Sequence, residues 1–203
     1  MIPSSRQAIT ALPGTRGLLR AQTAAAHEQL EARLDVFSRL RSLEDYRALL
    51  ARLYGLYEPL ELRLAVVAQA SALTLDFATR QKAPLIERDL AALGLDREAM
   101  ARLPRCTRLP ALTGPAAAFG CLYVLEGATL GGQFVSRHVA RELGVDHQGG
   151  TAFFSSYGED VGPMWRKFVT ALEHFACDAD RQAVVLRSAH ETFAVFEAWL
   201  RDV

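Results

Sequence analysis

Apolar residues recur with a period near 3.6 along almost the whole chain, and no stretch alternates with the period of two that a half-buried strand requires. The pattern predicts six helices. The first runs from about Thr15, placed as N-cap, to Leu34, with Leu19, Thr23, Ala26, Leu30 and Leu34 near one face. The second follows Ser42, a good cap with Asp45 three residues on, and passes through YRALLARLYGLYEPLELRLAVV, where Gly55 and Pro59 predict a bend or a break. The third, PLIERDLAALG, starts at Pro84 and stops at Gly94. The longest, Pro115 to Leu143, closes at Gly144 and would extend about 43 Å at 1.5 Å per residue. Two more cover about residues 163–176 and 180–201. Residues 1–14 read as a frayed arm, and 95–114 and VDHQGGTAFFSSYGEDVG as irregular connections. The sum is a single all-α domain over residues 15–203.

Composition narrows the function classes. Lys+Arg and Asp+Glu are both 23, so the formal charge is zero, which argues against a general nucleic-acid binder. Lysine occurs only at Lys82 and Lys167. Cys106, Cys121 and Cys177 form no metal-binding spacing and suggest a reducing compartment. No apolar leader and no run of the roughly 20 apolar residues that spans a bilayer is present, so a cytoplasmic location without membrane partners is expected.

Two helices carry features that want a reason. Gly127, Gly131 and Gly132 lie inside the longest helix, where each costs about 1 kcal/mol relative to Ala. Gly127 and Gly131 are four apart and make one bare stripe. Close helix–helix packing explains such a stripe, and so does a flat ligand lying against it. Tyr123, one turn earlier on the same stripe, could bond a polar edge of that ligand. On the first helix, His27 stands seven residues after Arg20. Seven steps return within about 20° after a rise of about 10.5 Å, so an imidazole and a guanidinium point the same way. A metal-centred ligand with carboxylates on its edge would suit that pair, since imidazole ligates heme iron and arginine forks onto carboxylates. A structural histidine is the alternative for His27 taken alone.

LRAQTAAAHEQLE resembles the proximal-helix signature of heme oxygenases, and YVLEGATLGGQ resembles their glycine-rich distal helix. FFSSYGEDVGPMWRKF and AHETFAVFEAWL resemble later segments of the bacterial branch, and GATLGGQ with SSYGE is most similar to the enzymes associated with bacteriophytochromes. The resemblance spans about residues 16–200. It implies a helical heme oxygenase-like fold that sandwiches heme between proximal and distal helices. Heme would be both cofactor and substrate, cleaved at a meso carbon to biliverdin, CO and ferrous iron. The reaction would use O2 and an external electron donor such as a ferredoxin or flavodoxin with its reductase. A bacteriophytochrome would be a possible recipient of the product. By motif, His27 would be the iron ligand and Gly127, Gly131 and Gly132 the distal glycines. Arg20 and Tyr123 would hold propionates, and Phe193 is the first choice for an aromatic residue against the macrocycle. The Asp that mammalian-type members carry after the first glycine is Ala128 here, so Thr129, Gln133 or backbone carbonyls would have to organise distal water. The rival function is a non-catalytic heme-binding sensor or carrier, which the same pocket would serve.

The remaining polar residues fit ordinary roles. Glu126 and His138 are expected on the surface of the distal helix, with hydrogen bonding behind the site as the alternative for Glu126; Arg137 and Arg187 are expected in solvent, with propionate contact as their alternative, and Ser155–Gly158 in a structural loop. His190 is a weak candidate for the heme edge, and His147 makes no metal spacing with the other histidines.

Overall fold

The helical periods are realised at nearly the expected limits. The computed structural model describes residues 14–71, 75–145 and 149–201. Its helices are α1 (Thr15–Leu34), α2 (Val36–Arg39), α3 (Leu43–Ser71), α4 (Ala83–Ala92), α5 (Arg97–Ala101), α6 (Pro115–Leu143), α7 (Ala152–Ser155), α8 (Val161–Phe175) and α9 (Ala179–Trp199), with short 3-10 turns at Ala78–Arg80 and Gly158–Asp160. Among the described residues there is no strand. The arm proposed for residues 1–14 and His147 lie outside the described residues, apart from Gly14. The short α5 and α7 fall in stretches expected to be irregular, and α2 lies between the first two predicted helices; with one turn or so each, all three contain too few residues to display a period.

Helix caps differ from the local expectation in an instructive way. Ser42 behaves as expected, its hydroxyl accepting from the Asp45 N–H at 3.1 Å. Thr15 is not an N-cap. Gly14 holds that position and offers no side chain. The Glu173 carboxylate of α8 accepts instead from the N–H groups of Thr15 (2.8 Å) and Arg16 (2.9 Å). Two further helices borrow a carboxylate from afar. Glu61 on α3 accepts from the N–H groups of Lys82 (2.6 Å) and Ala83 (3.0 Å) at the start of α4. Asp89 on α4 accepts from those of Ala152 (2.8 Å) and Phe153 (2.7 Å) at the start of α7. Burial raises the pKa of both Glu61 and Asp89, and the same N–H groups oppose the shift. Glu173→Ala is expected to lower stability by about 1 kcal/mol, the usual effect of losing a cap, read as a fall in thermal midpoint with the far-UV spectrum retained.

Pro59 neither splits nor ends α3, which runs unbroken through it. The missing N–H leaves the Gly55 carbonyl without its i+4 donor. That carbonyl accepts instead from the Cys106 N–H at 2.8 Å. Gly55 also makes room for the connection: a Cβ there would stand 2.3 Å from the Pro104 carbonyl oxygen. The proline and glycine together dock the Pro104–Cys106 stretch onto α3.

The core joins Leu19 of α1, Tyr46, Leu50, Leu56 and Leu60 of α3, Phe119 and Leu122 of α6, Phe168 and Leu172 of α8, and Val185 and Ala189 of α9, all at most 2% exposed. The tightest helix crossing is α6 on α9. A Cβ on Gly120 would lie 2.2 Å from the Val185 carbonyl oxygen, and Ser188 Oγ donates to the Ala117 carbonyl at 2.7 Å. None of the described helices is long and apolar enough to cross a membrane.

Candidate functional site

α1 rests on α8 and α9, and its other side faces α6 across a cavity of about 920 Å3, within the range of cofactor and small-molecule sites. His27, Ala24, Arg20 and Arg16 line it from α1; Tyr123, Gly127, Ala128 and Gly131 line it from α6; Phe193 and Phe196 of α9 and Trp165 of α8 complete the apolar floor. All seven sequence candidates, Arg20, His27, Tyr123, Gly127, Gly131, Gly132 and Phe193, border this single space.

The glycines separate into two kinds. Among the described residues, a Cβ at Gly127 or Gly131 would meet nothing within 4 Å, so their stripe is bare toward the cavity and packs against no described helix. Close packing, the alternative for this pair, is not what the fold uses it for. One residue on, and so rotated by about 100°, Gly132 is buried, and a Cβ there would be 2.7 Å from the Phe154 carbonyl oxygen. Its bare position admits the backbone of α7 while its own backbone still borders the cavity.

His27 is half exposed on the cavity side, its side chain 55% accessible. Its Nδ1 is 3.4 Å from Glu31 Oε2 one turn on, and its ring meets the buried Phe193 ring edge-on at 6.1 Å. With the Glu31 carboxylate beside Nδ1, Nε2 is the nitrogen suited to a ligand, a common arrangement for metal-binding histidines. Glu31 was not singled out from sequence, although its i+4 spacing from His27 is the signal that could have found it. Arg16 was missed for the same reason: it stands one turn before Arg20. The Tyr123 hydroxyl lies near both arginines. Burial raises its pKa, opposed by a hydrogen bond with Thr23 and by the charges of Arg16 and Arg20. One end of the cavity thus offers two guanidinium groups and a phenol, a donor set for carboxylates. One imidazole, a bare helical wall and a cationic end fit heme with its iron and acidic side groups.

Several expectations are corrected. Glu126 is not on the surface: it is 1% exposed and pairs with Arg80 and Tyr157. His138 is half-buried, its Nε2 enclosed without a partner among the described residues and its ring 5.2 Å from Phe37. Thr129 donates to the Glu126 carbonyl at 2.7 Å, and Gln133 Nε2 donates to the Ser155 and Gly158 carbonyls at 3.0 and 3.2 Å. In both, the donor hydrogens are engaged within the protein. Arg137 and Arg187 are exposed as expected, and His190 is exposed and away from the cavity. Ser155–Gly158 is a structural turn, with Ser156 at φ 44°, but its Tyr157 reaches inward.

An all-helical domain holding such a slot between two helices defines the heme oxygenase fold class. Three solved structures share it. A heme oxygenase from Neisseria meningitidis, solved with NO and CO bound, superposes with a TM-score of 0.76 at 21% identity, covering 94% of this chain and 92% of that one. The enzyme from Leptospira interrogans gives 0.77 at 19% identity over 94% and 100% of the two chains. Heme oxygenase 2 from Chlamydomonas reinhardtii, solved without heme, gives 0.74 at 18% over 94% and 97%. In sequence, the heme oxygenase of Xanthomonas campestris pv. campestris (strain 8004) is 32% identical over 122 residues, 60% of this chain and 68% of that protein. The Heme oxygenase family model matches residues 16–202. The chain belongs to the heme oxygenase family and is a heme-degrading enzyme of that class.

Proposed function

We propose that the enzyme cleaves heme to biliverdin, CO and ferrous iron, in the cytoplasm, with electrons from a ferredoxin or flavodoxin and its reductase. The observation that carries this reading is the sharing of one cavity by the His27 imidazole and the unfilled Gly127–Gly131 stripe. Bound heme supplies the redox chemistry that activates O2. His27 would hold the iron through Nε2 while Glu31 orients the ring from Nδ1. Gly127 and Gly131, with the Gly132 backbone beside them, would let O2 sit close under the helix with no side chain above it. Arg20 and Tyr123, joined by Arg16, would grip the acidic side groups and so fix which edge of the ring faces the glycines; Phe193 would pack against its face. The likeness of GATLGGQ and SSYGE to the bacteriophytochrome-associated branch supports a role in supplying that chromophore.

Titration with hemin should saturate at one equivalent with the spectrum of a histidine-ligated complex. Reductant in air should then replace the Soret band by biliverdin absorption, and chromatography against the four biliverdin isomers would identify the meso carbon attacked. A Soret band that persists through this treatment would overturn the reading in favour of a sensor or carrier.

A further inference from the structure

Behind the α6 wall lies a cluster of ionisable groups, of which Lys82 also borders the cavity. Arg80, Lys82, Glu61 and Glu126 are each at most 5% exposed. Arg80 pairs with Glu126. The Tyr157 hydroxyl donates to Glu126 Oε1 at 2.8 Å, and Lys82 Nζ donates to that hydroxyl at 2.6 Å and to the Arg80 carbonyl at 2.7 Å. Lys82 also lies over the Tyr157 ring at 3.9 Å. Two ammonium hydrogens are thereby engaged. For the third, Glu126 Oε1 at 3.8 Å is beyond hydrogen-bond reach, and the described residues offer no other acceptor. Lys82 belongs to this cluster and to the cavity lining at once.

We infer that Lys82 is the acid that delivers protons into the cavity on the α6 side, with Tyr157 and Glu126 as positioning residues that hold its ammonium. The inference rests on the heme-degrading reading above. Such a reaction needs an acid there, because oxygen from O2 that leaves as water takes two protons, while the electrons come from the external donor. In each delivery an N–H bond of Lys82 breaks, its electron pair stays on nitrogen, and the proton passes to an oxygen or water in the cavity. Solvent returns a proton to the amine past the partly exposed Tyr157. The neighbouring candidates are unsuited: Ala128 has no acid, the Thr129 hydroxyl is committed to the Glu126 carbonyl, and burial holds the Tyr57 phenol far above its ordinary pKa. Burial lowers Lys82 to about 8, opposed by Glu126 and Glu61 and assisted by Arg80. These three and Tyr157 are the titratable groups that face it among the described residues. An acid with a pKa near working pH suits general acid catalysis.

The chain has only two lysines, so protein carrying [13C]lysine gives two side-chain Cε signals, and Lys82→Met assigns them. In the heme-free protein the Lys82 signal should titrate near pH 8, and Glu126→Gln should move that midpoint down. Ferric hemin should broaden the Lys82 signal more than that of the exposed Lys167. Wild-type heme consumption should fall as pH rises through the Lys82 midpoint. Lys82→Arg keeps the charge but cannot release a proton in this range; it should still bind hemin, lose that limb, and react roughly 10²-fold more slowly. Tyr157→Phe should shift the limb together with the NMR midpoint. A Lys82→Arg enzyme with the wild-type rate and pH profile, or a Lys82 signal indifferent to hemin, would overturn the assignment. Failure of the wild type itself to consume heme would overturn the underlying reading instead, and leaves the NMR results to decide Lys82's place in the cavity.

Discussion

His27→Ala should abolish the histidine-ligated spectrum of the hemin complex and stop heme degradation, while leaving the heme-free protein folded. Both halves follow from where the residue sits. The imidazole is half exposed, with a carboxylate at 3.4 Å and the edge of one ring beside it. Removing it should therefore change stability by no more than about 0.5 kcal/mol, as for an ordinary surface site. Among the described residues His27 is the one histidine of the lining, so no second imidazole there can take its place. Optical spectra of the hemin complex with and without added imidazole check the result. Recovery of the native-like spectrum with imidazole assigns the loss to the missing ligand. A variant spectrum identical to wild type without imidazole would remove His27 from the iron.

The glycines of α6 should divide by substitution. Gly127→Ala and Gly131→Ala each place a methyl group in open space, so each should stabilise the heme-free helix by up to about 1 kcal/mol. The same methyl groups should weaken hemin binding or slow its degradation, because they occupy the wall against which the ligand lies. Gly120→Ala and Gly132→Ala should do the reverse. Their Cβ atoms would stand 2.2 and 2.7 Å from backbone carbonyl oxygens, and backbone cannot swing aside as a side chain can. Overpacking of this kind costs about 1–3 kcal/mol or more, with Gly120→Ala the larger. Thermal or urea unfolding of the four heme-free variants, set beside their hemin affinities, tests the division. A uniform loss of stability would mean that all four glycines serve packing alone.

The same division shows what sequence can and cannot reveal. The long helices were legible because three or more turns repeat the apolar period often enough to be recognised, and the bounds of α1 and α6 are met within a residue. The His27–Arg20 pair and the Tyr123–Gly127–Gly131 stripe were legible for the same reason: each lies within one helix, where spacing alone fixes direction. Contacts between distant segments were not. Gly120 looks no different in sequence from Gly131, and only the approach of α9 distinguishes them. Glu126 adjoins a cavity glycine, yet one helical step turns it from the cavity side to the core, where Arg80 and Tyr157 meet it from segments about 45 and 30 residues away. The Thr15 cap failed similarly, since a carboxylate 158 residues further along the chain does that work.

That last arrangement bears on how the molecule could be dismantled. Three helix beginnings are each completed by a carboxylate from another helix, so no one of them can melt without stripping acceptors or donors from its counterpart. Replacing Glu173 by a residue without a carboxylate would leave the opening turn of the imidazole-bearing rod with bare amides. Such a variant should therefore fray at the end where Arg16 and Arg20 reside, while the rest of the bundle stays in place.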